Sequence, residues 1–121
     1  MKLPGPGHPI AISPFGGRVR IRFAGAVVAD SSHALRLEEA SYPAVFYVPR
    51  GDAHMEYLAP SGRVTHCPYK GDAHYFTLTN GGARARDAVW SYETPFPAVA
   101  AIAGHLAFYP DKVEIETVPM G

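Results

Sequence analysis

Reactive side chains concentrate in one stretch, His66-Cys67-Pro68-Tyr69-Lys70-Gly71-Asp72-Ala73-His74, which holds the single cysteine of the chain, a nearby lysine and flanking histidines. A cysteine attacks only as its thiolate, and a free thiol titrates near pH ~8.5 unless a neighbouring cation or hydrogen bond lowers that value. His66 follows an extended chain and points away from Cys67, whereas Lys70 lies beyond a proline turn and can fold back. Cys67 and Lys70 are therefore the candidate catalytic pair, with Asp52 or Asp72 available to orient a histidine base. The competing reading is structural, because a lone cysteine is among the most buried residue types and packs as a small hydrophobe.

Two other chemistries draw on the same residues. Lys70, Arg50 and Asp52, with the rings of Tyr47, Tyr69 and Trp90, form a candidate ligand-binding set: amphipathic rings stack a flat molecule while a few polar groups fix its orientation. Tyr42 and Tyr92 add to the supply of rings. Asp52, His54, His66 and His74 are weak metal-ligand candidates, since in a strand an Asp-x-His pair presents both side chains on one face. A glycine before each aspartate, in Gly51-Asp52-Ala53-His54 and again in Gly71-Asp72-Ala73-His74, points to turns instead. No metal and no cofactor is assigned. The repeated tetrapeptide is too short to establish a duplication.

The elements that must position these groups are mostly short strands. Arg18-Val19-Arg20-Ile21-Arg22-Phe23 alternates strictly, placing Val19, Ile21 and Phe23 on one face and the arginines on the other. Lys112-Val113-Glu114-Ile115-Glu116 alternates likewise with an acidic outer face, and the opposite charges predict that the two strands pair. The arginine stripe is assigned to that pairing, ahead of an anionic ligand. Further strands are expected over 26–30, 34–38, 45–49, 54–59, 63–66, 73–79 and 83–92, with Asn80-Gly81-Gly82 and Pro60-Ser61-Gly62 as hairpin turns. One short α-helix is expected near residues 95–106, with Thr94 as N-cap, Pro95 at the first helical position, and Val99, Ile102, Ala103 and Leu106 on its inner face. Residues 1–17, rich in Pro and Gly, read as an extended N-terminal arm, and 18–121 as a single domain.

With 11 basic and 11 acidic side chains, the chain carries no net formal charge and lacks the electrostatic footprint of a nucleic-acid binder. No apolar run approaches the ~20 residues that span a bilayer, and the start lacks the apolar core of a signal peptide. No membrane partner is expected, and a cytoplasmic location fits a chain that has one cysteine and no internal disulfide. A homodimer is left open.

Several motifs in order, Phe23-Ala24-Gly25, Val28-Ala29-Asp30-Ser31, Tyr47-Val48-Pro49-Arg50, Cys67-Pro68-Tyr69-Lys70-Gly71, Trp90-Ser91-Tyr92 and Ala101-Ile102-Ala103-Gly104-His105-Leu106-Ala107-Phe108-Tyr109-Pro110, resemble the domain of unknown function 427 family. The resemblance implies a mainly β, β-tent-like fold, two antiparallel sheets meeting at an angle in a folded sandwich with one helix. Folds of this kind, as in methionine sulfoxide reductase B and the ligand-binding domain of cereblon, often hold zinc on paired Cys-x-x-Cys motifs; a single cysteine rules that site out here. The family's nucleotidyltransferase-like label finds neither a Gly-rich phosphate loop nor a paired-carboxylate metal motif in this chain. The function expected is binding of a small polar or anionic molecule in a tyrosine-lined pocket around Cys-Pro-Tyr-Lys-Gly. The alternatives are a small cysteine-dependent enzyme using Cys67 and Lys70, and a protein-interaction module without a ligand.

Overall fold

The computed structural model describes residues 1–120. Its strands are β1 Ile10–Pro14, β2 Gly17–Phe23, β3 Ala26–Ser31, β4 Leu35–Glu39, β5 Val45–Tyr47, β6 Leu58–Cys67, β7 Gly71–Asn80, β8 Ala83–Ser91, β9 Ala107–Phe108 and β10 Glu114–Pro119. They form three sheets, in the orders β1-β4-β5, β10-β2-β3 and β6-β7-β8-β9, and every strand pairing is antiparallel. The mainly β, antiparallel class read from the sequence holds, with the strands divided among three sheets where two were expected.

The strictest alternation gives the best-anchored strand. In β2, Val19, Ile21 and Phe23 are buried, and β10 lies beside it with Arg20 opposite Glu116 and Arg22 opposite Glu114. The expected charge pairing is present: Glu116 is 3.8 Å from Arg20 and 3.5 Å from Arg22. On the other flank Arg18 donates to Asp30 of β3 at 2.7 and 3.0 Å. That hydrogen bond holds the Asp30 carboxyl below its ordinary range.

Two local expectations are corrected. Pro60-Ser61-Gly62 does not turn a hairpin; it is a bulge inside one long β6, which pairs with β7 on both sides of it, Pro60 with Phe76 and Val64 with His74. An edge strand tolerates a proline that donates no ladder bond, and a bulge absorbs the extra residues. The segment expected to be an α-helix is a 3-10 turn, Pro97–Ile102, interrupted at Val99. Pro95 and Pro97 lack N–H groups and Gly104 ends the segment at φ +69°, leaving no length for α-helical turns. Val99, Ile102 and Leu106 still face inward, while Ala103 is exposed. Asn80-Gly81-Gly82 turns as expected, joining Asn80 to Ala83, with Gly81 at φ +58°.

The segment read as an arm contributes β1, which pairs with β4 from Ile10 opposite Glu39 to Pro14 opposite Leu35. Upstream of it, the Lys2 amide donates to the Pro68 carbonyl at 2.7 Å, laying the first residues over the Cys67–Gly71 turn. The buried side chains fall into two clusters. One gathers Val19, Ile21, Val28, Leu78, Val89 and Leu106, and the other, rich in tyrosine, gathers Leu37, Tyr47, Tyr75, Tyr92, Val99 and Ile102. Among the described residues no helix is long and apolar enough to cross a membrane.

Candidate functional site

The turn between β6 and β7 is closed by pairing of Cys67 with Gly71. The Lys70 amide donates to the Cys67 carbonyl at 3.3 Å, and the Phe96 amide donates to the Lys70 carbonyl at 3.0 Å. Gly71 sits at φ +107°, a conformation that costs glycine least, and this bend turns Lys70 inward. Lys70 is 8% exposed. Its ammonium donates to Glu39 Oε1 and stands 5.9 Å from the ring centroid of Tyr92.

Glu39 ends β4 on the same face as the buried Leu37. Its second oxygen, Oε2, lies 2.7 Å from His8 Nε2. The His8 ring in turn stacks on Tyr69 at a centroid distance of 3.9 Å and an interplanar angle of 6°. Burial pushes the Glu39 carboxyl up, but the hydrogen bonds from Lys70 and His8 outweigh it and hold the group below its ordinary value. The result is a carboxylate shared between a buried lysine and a histidine, facing an aromatic wall.

That wall encloses a cavity of about 210 Å³, bounded by Leu37, Glu39, Tyr42, Pro43, Val45, Tyr47, Lys70, Tyr75, Trp90, Tyr92 and Tyr109. Trp90 organises it. Its Nε1 donates to the Tyr47 hydroxyl at 3.3 Å, and its ring meets Tyr47 edge-on at 6.4 Å and Tyr109 at 4.5 Å. Burial raises the Tyr47 and Tyr92 phenols well above their ordinary range. Tyr109 is pushed up to about 12, first by burial and then by the neighbouring Tyr75 hydroxyl. These hydroxyls therefore stay protonated near neutrality and serve as hydrogen-bond partners, not as bases. Chemically the site offers flat apolar walls, phenolic hydroxyls, one ammonium and one carboxylate.

Of the residues singled out in the sequence, Lys70, Tyr47 and Trp90 come together here, with Tyr42 and Tyr92. Tyr69 lies outside, between His8 and Lys2. Arg50 points elsewhere, donating to the Gly104 carbonyl at 3.1 Å, to Ser91 Oγ at 3.2 Å and to Glu93 at 2.7 Å. Asp52 accepts from Ser31 Oγ at 2.7 Å. Cys67 is partly buried against the tyrosine-rich cluster, and among the described residues its sulfur makes no side-chain hydrogen bond. Exposed His66 pairs with exposed Asp72 at 2.7 Å, and His54 and His74 are exposed as well. Among the described residues no three His, Cys, Asp or Glu side chains are grouped as metal ligands would be.

Glu39, Tyr75, Tyr109 and His8 were not picked out from the sequence. Glu39 alone carried a local signal: in Leu35-Arg36-Leu37-Glu38-Glu39 it falls on the apolar face, where a carboxylate needs a buried partner. The other three are brought in by pairings across distant segments.

Residues 11–119 match the family described as Domain of unknown function (DUF427), and the chain belongs to that family. No curated protein matches the chain.

Proposed function

We propose that this member of the DUF427 family binds a small polar or anionic molecule in the tyrosine-lined cavity beside the Cys-Pro-Tyr-Lys-Gly turn. The observation that carries the reading is the Lys70–Glu39 ion pair, whose side chains are 10% and 14% exposed, in the wall of an aromatic cavity. Removing two charges from water costs several kcal/mol per ion, and well-packed apolar residues often serve stability as well or better. An ion pair held there at that cost is supported better by recognition of a polar ligand than by folding. Lys70 has three donors and Glu39 occupies one direction, so the ammonium retains capacity for a ligand oxygen. The rings of Trp90 and Tyr109 supply stacking surfaces, and the protonated phenols supply hydrogen bonds.

Cys67 packs against the tyrosine-rich cluster but does not line the cavity; Glu39 engages the Lys70 amine, and the binding reading routes no covalent step through the thiol. Trp90 is the single tryptophan of the chain and lines the cavity, so its emission reports on occupancy. Titration with 4-hydroxybenzoate, a flat ring carrying one carboxylate and one hydroxyl, is expected to change Trp90 emission saturably. Lys70→Met is expected to weaken that response by about tenfold or more, the value of a hydrogen bond to a charged group.

A further inference from the structure

A second, polar cleft of about 480 Å³ shares Tyr75 and Tyr109 with the cavity, and its other walls are Arg63, Arg86, Asp87, Asp111 and Lys112. Among the described residues, two of its three cations have no carboxylate partner. Arg18, Arg20, Arg22, Arg36 and Arg50 are each within ion-pair distance of a carboxylate. Among the described residues Arg63 and Lys112 have no such partner, and Arg86 Nε stands 3.9 Å from Asp87 Oδ2, too far for a hydrogen bond. The Arg63 guanidinium lies over the Tyr75 ring at 5.0 Å from its centroid, which holds it at the cleft wall.

Asp87 supplies an independent observation. It lies in the irregular part of β8 opposite Thr77, where the β7–β8 register shifts. Its φ is +51°, and its amide donates to Thr77 Oγ1 at 3.2 Å. Its Oδ1 is buried and accepts no hydrogen bond from the protein. Left-handed backbone at a residue other than glycine and an unsatisfied buried acceptor are both costly, and both fall on one residue at the wall of a cleft. Such coincidences mark sites shaped for something other than stability.

We propose that this cleft is a second binding site, for a small oxyanion, carboxylate or phosphate, that carries a hydrogen-bond donor beside its charge. Arg63, Arg86 and Lys112 take the oxyanion, and the Asp87 carboxylate takes the donor, a hydroxyl or ammonium, through Oδ2, since Oδ1 is buried. A bare anion fits less well, because it would stand against the Asp87 and Asp111 carboxylates with nothing to offer them.

The test is a titration of the ¹⁵N-labelled full chain with acetate, glycolate and inorganic phosphate, followed by NMR. Glycolate is expected to shift the resonances of Arg63, Arg86, Asp87 and Lys112 saturably and to bind about fivefold tighter than acetate, the worth of one added hydrogen bond. The Arg63→Gln/Lys112→Gln double variant is expected to weaken both carboxylates by about tenfold or more, through loss of charge-assisted bonds on exposed side chains. Asp87→Gly, in which glycine takes the positive φ without strain, is expected to fold at least as well and to erase the preference for glycolate. Phosphate saturating the same resonances more tightly than glycolate supports the site with a phosphate ester as ligand class; the reverse supports a hydroxycarboxylate. The proposal is overturned if no probe saturates those resonances, or if Asp87→Gly leaves the glycolate preference intact.

Discussion

At the scale of single residues, the Lys70–Glu39 pair dominates. Lys70→Met leaves the Glu39 carboxylate buried with only His8 beside it, and the unfolding midpoint in urea is expected to fall by the equivalent of about 3–5 kcal/mol. Adding Glu39→Leu removes the stranded charge, so the double variant is expected to recover most of that loss. A double variant as unstable as the single one would mean that the pair is needed for folding. The acid limb of stability is a second readout. The folded value of Glu39 lies below its ordinary 4.5, so its contribution is complete above that value and is lost as pH falls from 4.5 through the folded value. Glu39→Gln is expected to flatten this part of a plot of urea midpoint against pH; an unchanged slope would locate the acid sensitivity elsewhere, with Asp30 the next group to test.

At the scale of elements, the site depends on one bend and one clasp. Gly71→Ala adds a methyl that meets Phe96 N at 3.6 Å, an ordinary contact, so the cost lies in the backbone at φ +107°. A loss of roughly 1–3 kcal/mol is expected in thermal or chemical unfolding. Full stability in that variant would show that the turn relaxes without moving Lys70. The clasp is His8, which stacks on Tyr69 and reaches Glu39. His8→Ala is expected to cost about 1–2 kcal/mol and to speed amide exchange in Lys2–Gly5 and in the Cys67–Gly71 turn. The sequence was informative about elements wherever alternation was strict, as in β2 and β10, or a turn had its own chemistry, as at Asn80-Gly81-Gly82. It misled where a proline stood inside a strand, because Pro60 reads as a turn unless β7 is known to continue past it. It misled again at Pro97–Ile102, where spacing preserves an inner face but prolines and Gly104 remove the length for an α-helix.

At the scale of the whole molecule, the cavity lies where strands of two sheets meet: Leu37, Glu39 and Tyr47 come from β4 and β5, and Tyr75 and Trp90 from β7 and β8. This explains what was legible of the site. The Cys67-to-Gly71 segment announces itself by residue type, and Tyr47 and Trp90 by their rings. Glu39, Tyr75 and Tyr109 become partners of Lys70 only through pairing between distant segments, for which local sequence carries no mark. Arg50 and Asp52 stand out in the sequence as charged side chains near Tyr47, yet tertiary contacts direct them to Gly104, Ser91, Glu93 and Ser31. A ligand bound between two sheets favours the folded state by mass action, so 4-hydroxybenzoate is also expected to raise the melting temperature in step with its concentration. The central claim, that the buried pair is kept for binding and not for folding, is tested most directly by the Trp90 emission titration carried out on the Glu39→Leu/Lys70→Met variant beside the unmodified chain. The account predicts a saturable response in the unmodified chain and none in a double variant that is still folded. No saturable response in the unmodified chain, or an undiminished one in the double variant, would contradict it.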